Sequence, residues 1–108
     1  MKMTLKEVCN HVGVTRRAVQ GYEKAGLVRA IEKNKYGHLL YDEAAVERIQ
    51  EIKQYQDFGF AVKEIKVLLG VSREEYLEMM EERLKGMRME MERMQENVGK
   101  LEQMIAME

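Results

Sequence analysis

The feature that most restricts what this chain can fold into lies near its C-terminus. Leu77, Met80, Leu84, Met87, Met91, Met94, Val98, Leu101 and Ile105 follow one another at intervals of three and four residues in strict alternation. That is the spacing of the a and d positions of a heptad, sustained across four heptads. Ser72-Arg73-Glu74-Glu75, just before it, reads as a capping box. The pattern predicts one uninterrupted helix of roughly 50 Å at 1.5 Å per residue. So long a helix cannot lie along a domain of this size over its whole length. A partner helix must cover the seam, and the nine seam residues are the expected dimerisation contacts. The methionines in its middle sit on seam positions, where flexible gap filling accounts for them without a metal or ligand site. Gly86 and Gly99 fall off the seam, and each weakens helix propensity by about 1 kcal/mol relative to Ala.

Residues 1–70 are left for a compact head, which fits one small domain, with residues 71–108 as a separate dimerisation helix. The absence of Pro and Trp, a charged fraction of 34% and ten Met suit long exposed helices better than a compact β fold. No apolar run is long enough to span a membrane, and Met1-Lys2-Met3-Thr4 has no h-region, so a cytoplasmic protein is expected. A single cysteine, Cys9, excludes an internal disulfide and a multi-cysteine zinc site. Its place between Val8 and Val12 in a helical pattern suits a small buried hydrophobe. The net charge of −1 hides an asymmetry. Residues 1–40 carry eight Lys/Arg against three acids, hence +5, and residues 71–108 carry six against ten, hence −4. A basic head on an acidic stalk fits a polyanion at one end only, because phosphate attraction follows the local field.

The head reads as a succession of capped helices around one turn. Thr4-Leu5-Lys6-Glu7 is a capping box, and Leu5, Val8, Cys9 and Val12 give a stripe at helical spacing, so the first helix is expected over about Leu5 to Val12. Gly13 supplies the left-handed conformation a sharp inter-helix turn needs, and Thr15 can cap a second helix beginning near Arg16 and ending before Gly26. On that helix Val19 and Tyr22 lean toward a core while Arg16, Arg17 and Gln20 project outward. Two arginines and a glutamine on one exposed face are the groups used for guanine, adenine and phosphate contacts, and the preceding turn favours that role over a merely solvated face. Residues 29–41 hold β-formers on both sides of Asn34-Lys35-Tyr36-Gly37, which predicts a short hairpin with basic residues at its tip. A hairpin alone is marginal, so it should lean on the helices through Ile31, Leu40 and Tyr41. Asp42 caps a third helix with Val46, Ile49, Ile52 and Tyr55 on one face, stopped by Phe58-Gly59-Phe60. A fourth, short helix follows with Val62, Ile65, Leu68 and Leu69 inward, ending at Gly70.

With those elements in order, the chain resembles the MerR family of bacterial transcription regulators. Residues 4–70 carry the resemblance: Leu5-Lys6-Glu7-Val8, Gly13-Val14-Thr15, Arg17-Ala18-Val19, Tyr22-Glu23, Gly26-Leu27, Asn34 through Tyr41, and Gly59-Phe60 leading to Glu64-Ile65-Lys66. The resemblance implies a mainly α fold: a winged helix-turn-helix DNA-binding domain with a small β-hairpin wing, then a long C-terminal helix forming an antiparallel coiled coil. It implies a homodimer on a pseudo-palindromic promoter operator, acting by bending and untwisting DNA for RNA polymerase. The expected DNA-binding set is Thr15, Arg16, Arg17, Gln20, Tyr22, Lys24, Lys33, Lys35, Tyr36 and His38. Within it, Arg17 and Tyr22 match positions that hold the backbone, and Arg16 and Gln20 are placed to reach base edges.

The chain departs from the family pattern at identifiable points. Members usually have Arg where Gln20 stands, Tyr where Gly21 stands, and Gly-Tyr-Arg-x-Tyr in the wing where this chain has Gly37-His38-Leu39-Leu40-Tyr41. Leu39 thus replaces the wing arginine, usually a phosphate contact, and Ala61 replaces the usual Ser before the fourth helix. Metal-sensing members place cysteines at and beyond the end of the dimerisation helix, and none occurs there. With no effector domain after that helix, an effector is expected to use the coiled coil, the head or nothing.

Two other readings stay open on the residues alone. One is an architectural or excisionase-like protein that bends DNA without regulating a promoter. The other is a coiled-coil interaction protein whose head has lost DNA binding, which the missing wing arginine favours and the +5 of residues 1–40 opposes. An enzyme is not expected: His11 and His38 have no neighbouring nucleophile, metal-ligand or acid–base arrangement, and no glycine-rich phosphate loop occurs. No catalytic residue, metal or cofactor is assigned, and His11 reads as a surface residue.

Overall fold

Side-chain caps set four of the five helix starts in the computed structural model, which describes residues 1–108. Thr4 and Glu7 form a reciprocal capping box, so α1 runs Leu5–Val12. Gly13 leaves it at φ +82°, and its N–H donates to the Cys9 carbonyl at 2.9 Å. Only a residue without a Cβ takes that conformation at little cost, so the chain turns there and starts again. The Thr15 hydroxyl oxygen accepts from the Ala18 N–H at 3.0 Å, and α2 runs Arg16–Lys24. It closes with the Gly26 N–H on the Glu23 carbonyl and the Leu27 N–H on the Tyr22 carbonyl, the paired bonds of a Schellman motif. Asp42 accepts from the Ala45 N–H at 2.8 Å to open α3, Glu43–Asp57, which Gly59 ends in the same way as Gly26 ends α2. The last helix of the head, α4, spans Val62–Leu68.

The wing is one strand wider than the hairpin expected from sequence. Strands β2, Glu32–Lys33, and β3, Leu39–Tyr41, are joined by the expected Asn34–Gly37 turn. Asn34 organises that turn: its side-chain oxygen accepts from the N–H groups of Tyr36 and His38, and its carbonyl accepts from the Gly37 N–H at 3.0 Å. The added strand is β1, Met3–Thr4, antiparallel to β3 with Met3 opposite Tyr41 and Thr4 opposite Leu40. The sheet order is therefore β1-β3-β2, with β3 central. Two residues are too few to show an alternation, which is why β1 leaves no trace in the pattern. Its effect is large nonetheless. It ties the wing to the N-terminus of α1, giving a marginal hairpin a third strand.

The head's core lies between this sheet and the helices. Val8, Val19, Tyr22, Tyr41, Ile49, Ile52 and Ile65 are almost wholly buried, with Val46, Tyr55, Phe60 and Leu68 nearly so. Phe60 meets Tyr55 edge to face, ring centroids 6.2 Å apart. Three expectations are corrected here. Ile31 does not anchor the wing: its side chain is 47% exposed, and its N–H instead donates to the Leu40 carbonyl. Of the other two expected anchors, Tyr41 is fully buried and Leu40 half-buried. Val62 and Leu69 are half-buried where inward positions were expected, because so short a helix places only Ile65 and Leu68 fully under cover. Cys9 is likewise half-buried.

The chain divides into two compact units, Met1–Gly70 and Val71–Glu108. The second is a single helix, α5, Arg73–Ala106, capped by Ser72 accepting from the Glu75 N–H at 3.2 Å. No residue of α5 is buried. Leu77, Leu84, Met87, Met91, Met94, Val98, Leu101 and Ile105 are all exposed, and Met80 is half-buried. No helix is long and apolar enough to cross a membrane.

Candidate nucleic-acid interface

Helix α2, the candidate recognition helix, is fixed from behind by two phenols. Tyr22, 1% exposed, donates its hydroxyl to the Gln56 side-chain oxygen at 2.5 Å, which ties α2 to the end of α3. Tyr41, fully buried on β3, donates to the Glu23 carboxylate and so ties α2 to the wing. Burial raises both phenols above the ordinary tyrosine range. The Asp57 charge adds to this for Tyr22, and the bond to Glu23 with its charge adds to it for Tyr41. Both therefore stay protonated donors at neutral pH. Tyr22, expected to hold a phosphate, is corrected by this geometry: its ring is core and its hydroxyl is engaged by Gln56, so it positions α2 from inside.

In front of α2 the structure opens a cleft of about 580 Å³, lined by Thr4, Leu5, Lys6, Arg16, Gln20, Gly37, His38 and Leu39. Three elements meet there. Arg16 and Gln20 lie one helical turn apart on α2 and so share a face. His38 and Leu39 come from the wing. Thr4 through Lys6 come from the start of α1, brought alongside by the pairing of β1 with β3. No acidic side chain lines the cleft. Lys6 is the functional candidate that sequence reasoning left out. The signal was the capping box itself, which fixes Lys6 in the first turn of α1, but without β1 nothing placed that turn beside the wing.

The remaining expected residues lie outside the cleft. Arg17, Lys24, Lys33 and Lys35 are exposed, and none of them lines it. Thr15 keeps its hydroxyl proton free to donate, because the cap uses its oxygen only as acceptor. At the wing tip Lys35 Nζ stands 5.2 Å from the centre of the Tyr36 ring, and that ring lies 6.4 Å from His38. Tyr36 is 72% exposed, a planar surface offered to solvent beside two basic groups. Glu32, the acid on β2, is paired with Lys2. The set can make charge-assisted hydrogen bonds to phosphate oxygens and bidentate bonds to base edges. No group of three or more His, Cys, Asp or Glu is arranged to hold a metal ion.

Comparison with known proteins places this geometry. The profile of the MerR HTH family regulatory proteins matches residues 3–70. The mercuric resistance operon regulatory protein of Bacillus cereus is 35% identical over 71 residues, 66% of this chain and 54% of that protein, so the chain spans about half its length. A MerR-family transcriptional regulator from Bacillus cereus superposes with a TM-score of 0.81 at 23% identity, over 96% of this chain and 80% of that one. HiNmlR, a MerR-family regulator lacking the sensor domain and crystallised on promoter DNA, superposes with a TM-score of 0.72 at 18% identity, over 91% and 79%. At those identities the two structures establish the shared fold.

Proposed function

The chain belongs to the MerR family of helix-turn-helix regulatory proteins, and from that premise we propose that it is a transcription regulator that binds promoter DNA as a homodimer. One observation carries the reading: Lys6, Arg16, Gln20 and His38, from three different elements, line one acid-free cleft in front of a helix whose back is locked into the core. A recognition helix placed in the major groove would bring Arg16 and Gln20 to base edges. Thr15, Arg17, Lys24, Lys33, Lys35 and Tyr36 would then stand around it for the backbone. Two copies joined through the α5 seam present two such heads, which calls for a pseudo-palindromic operator. The proposed action is bending and untwisting of that operator so that RNA polymerase can use the promoter. The likeness to HiNmlR, which binds promoter DNA, supports the reading.

The test begins with selection of bound fragments from genomic DNA, followed by mobility shifts on the selected site and on random DNA at two salt concentrations. Arg17→Ala should weaken both DNAs alike and reduce the salt slope by about one unit per monomer, as loss of a phosphate contact does. Arg16→Ala should cost about 1–3 kcal/mol on the selected site only. Equal losses on both DNAs would remove Arg16 from readout. An interaction-only protein would retain neither DNA at either salt.

A further inference from the structure

The α5 seam is unevenly exposed. Met91, Met94, Leu101 and Ile105 are 63%, 64%, 59% and 66% exposed, against 42%, 46% and 38% for Leu77, Leu84 and Met87. The charges beside the seam say which partner helix fits it. On one flank stand Glu81, Arg88, Gln95 and Glu102. On the other stand Arg83, Glu90, Asn97 and Met104. In a parallel pair the two flanks face each other, which sets Arg83 against the partner's Arg88 and forms no pair of opposite charge. In an antiparallel pair each flank faces its own copy, and only some registers avoid repulsion.

Setting residue 89 level with itself puts Arg88 on Arg88 and Glu90 on Glu90. Sliding the axis to between residues 92 and 93 puts Glu81 on the partner's Glu102, twice. An axis between residues 85 and 86 forms opposite pairs, Glu81 with the partner's Arg88 and Arg83 with the partner's Glu90. It leaves Leu101 and Ile105 bare, however, and it competes with the bond Arg83 already makes to Glu90 in its own helix at 3.1 Å. An axis level with Glu96 leaves out only Leu77, Met80 and Leu84, the less exposed end of the seam, and sets no like charges against each other. The residues that meet themselves are the neutral amides Gln95 and Asn97. Arg88 falls beside the partner's Glu102 twice, by two-fold symmetry. The seam closes as Met87 on Ile105, Met91 on Leu101 and Met94 on Val98, which covers its most exposed members.

Within the antiparallel pairing that the family resemblance implies, we propose this register, with Arg88 beside the partner's Glu102 and the two-fold axis level with Glu96. This rests on the homodimer reading above and adds the register to it. Sedimentation equilibrium on the full chain tests it, with far-UV circular dichroism confirming that each variant keeps its helix. Arg88→Glu and Glu102→Arg should each weaken self-association by about tenfold, since each turns two attractive pairs into repulsive ones. The double variant should return to within about twofold of the parent. Rescue of Arg88→Glu by Glu81→Arg in place of Glu102→Arg overturns the register and leaves the dimer standing. Unchanged association in both single variants overturns the register as well. A parent chain that is monomeric at every concentration loaded overturns the homodimer reading itself.

Discussion

At the scale of single residues, the head shows where one atom more or less would register. The N-cap of α4 is Ala61, whose backbone is already extended at φ −76° and ψ 157° and whose N–H donates to Glu64 at 2.9 Å. Half of a capping box is thus in place, and the missing half is a hydroxyl. Ala61→Ser should stabilise the protein by about 0.5–1 kcal/mol, read as a higher denaturation midpoint with unchanged slope. The two phenols behind α2 give a pH signature. In the unfolded chain a tyrosine ionises near pH 10; burial, with Asp57 beside Tyr22 and Glu23 beside Tyr41, raises both in the fold. Their contribution is fully present below about pH 10 and is lost as pH rises further, because the unfolded chain releases its protons first. Stability measured by denaturant should therefore fall above pH 10, and less steeply in a Tyr22→Phe, Tyr41→Phe variant than in the parent. Tyr22 also shows what a residue's identity conceals. Its spacing from Val19 correctly put it toward the core, whereas its match to a backbone-holding position put it on the DNA; the structure sides with the spacing.

At the scale of elements, the parts legible in the sequence are those whose ends are written in side-chain chemistry. Thr4, Thr15, Asp42 and Ser72 each accept from a backbone N–H three residues on, and each was readable as a cap. Strand β1 was not readable, because Met3 and Thr4 become a strand only through β3, which lies far along the chain. The same long-range pairing hid Lys6 from the candidate interface. The spacing of α5 predicted one helix, and the structure holds one helix of 34 residues with nothing buried. Helical spacing, though, says which side chains share a face and leaves open what covers them. The dimer proposal answers with a second copy, so Met91→Lys should put a charge inside an apolar interface at a cost of several kcal/mol and shift the protein toward monomer. Light scattering across a concentration series reads this directly. An undiminished dimer would mean that the seam is not the interface.

At the scale of the whole molecule, +5 over residues 1–40, within a head of +3, and −4 over residues 71–108 confine the proposed DNA attraction to one unit of the chain. That attraction must do more than hold the operator if the protein acts by remodelling it. Bending and untwisting a site of promoter-spacer length costs on the order of 1–6 kcal/mol, to be offset by contacts from both heads and both wings. This chain has less to offset it with: Leu39 stands where the family usually carries a wing arginine, and it lines the cleft as an apolar wall. Lys33 and Lys35 remain as the wing's cations, and Tyr36, packed beside Lys35 and His38, adds a surface rather than a charge. The protein should therefore depend strongly on how easily the operator itself deforms, above all at central steps that no side chain touches. Replacing a central TA or CA step by a stiff A-tract, with both half-sites intact, should lower affinity by roughly tenfold for each 1.4 kcal/mol of added stiffness. Titration of the two duplexes at one salt concentration measures it. Equal affinity for both would mean that the centre is not deformed, and occlusion of the promoter would replace remodelling as the mechanism.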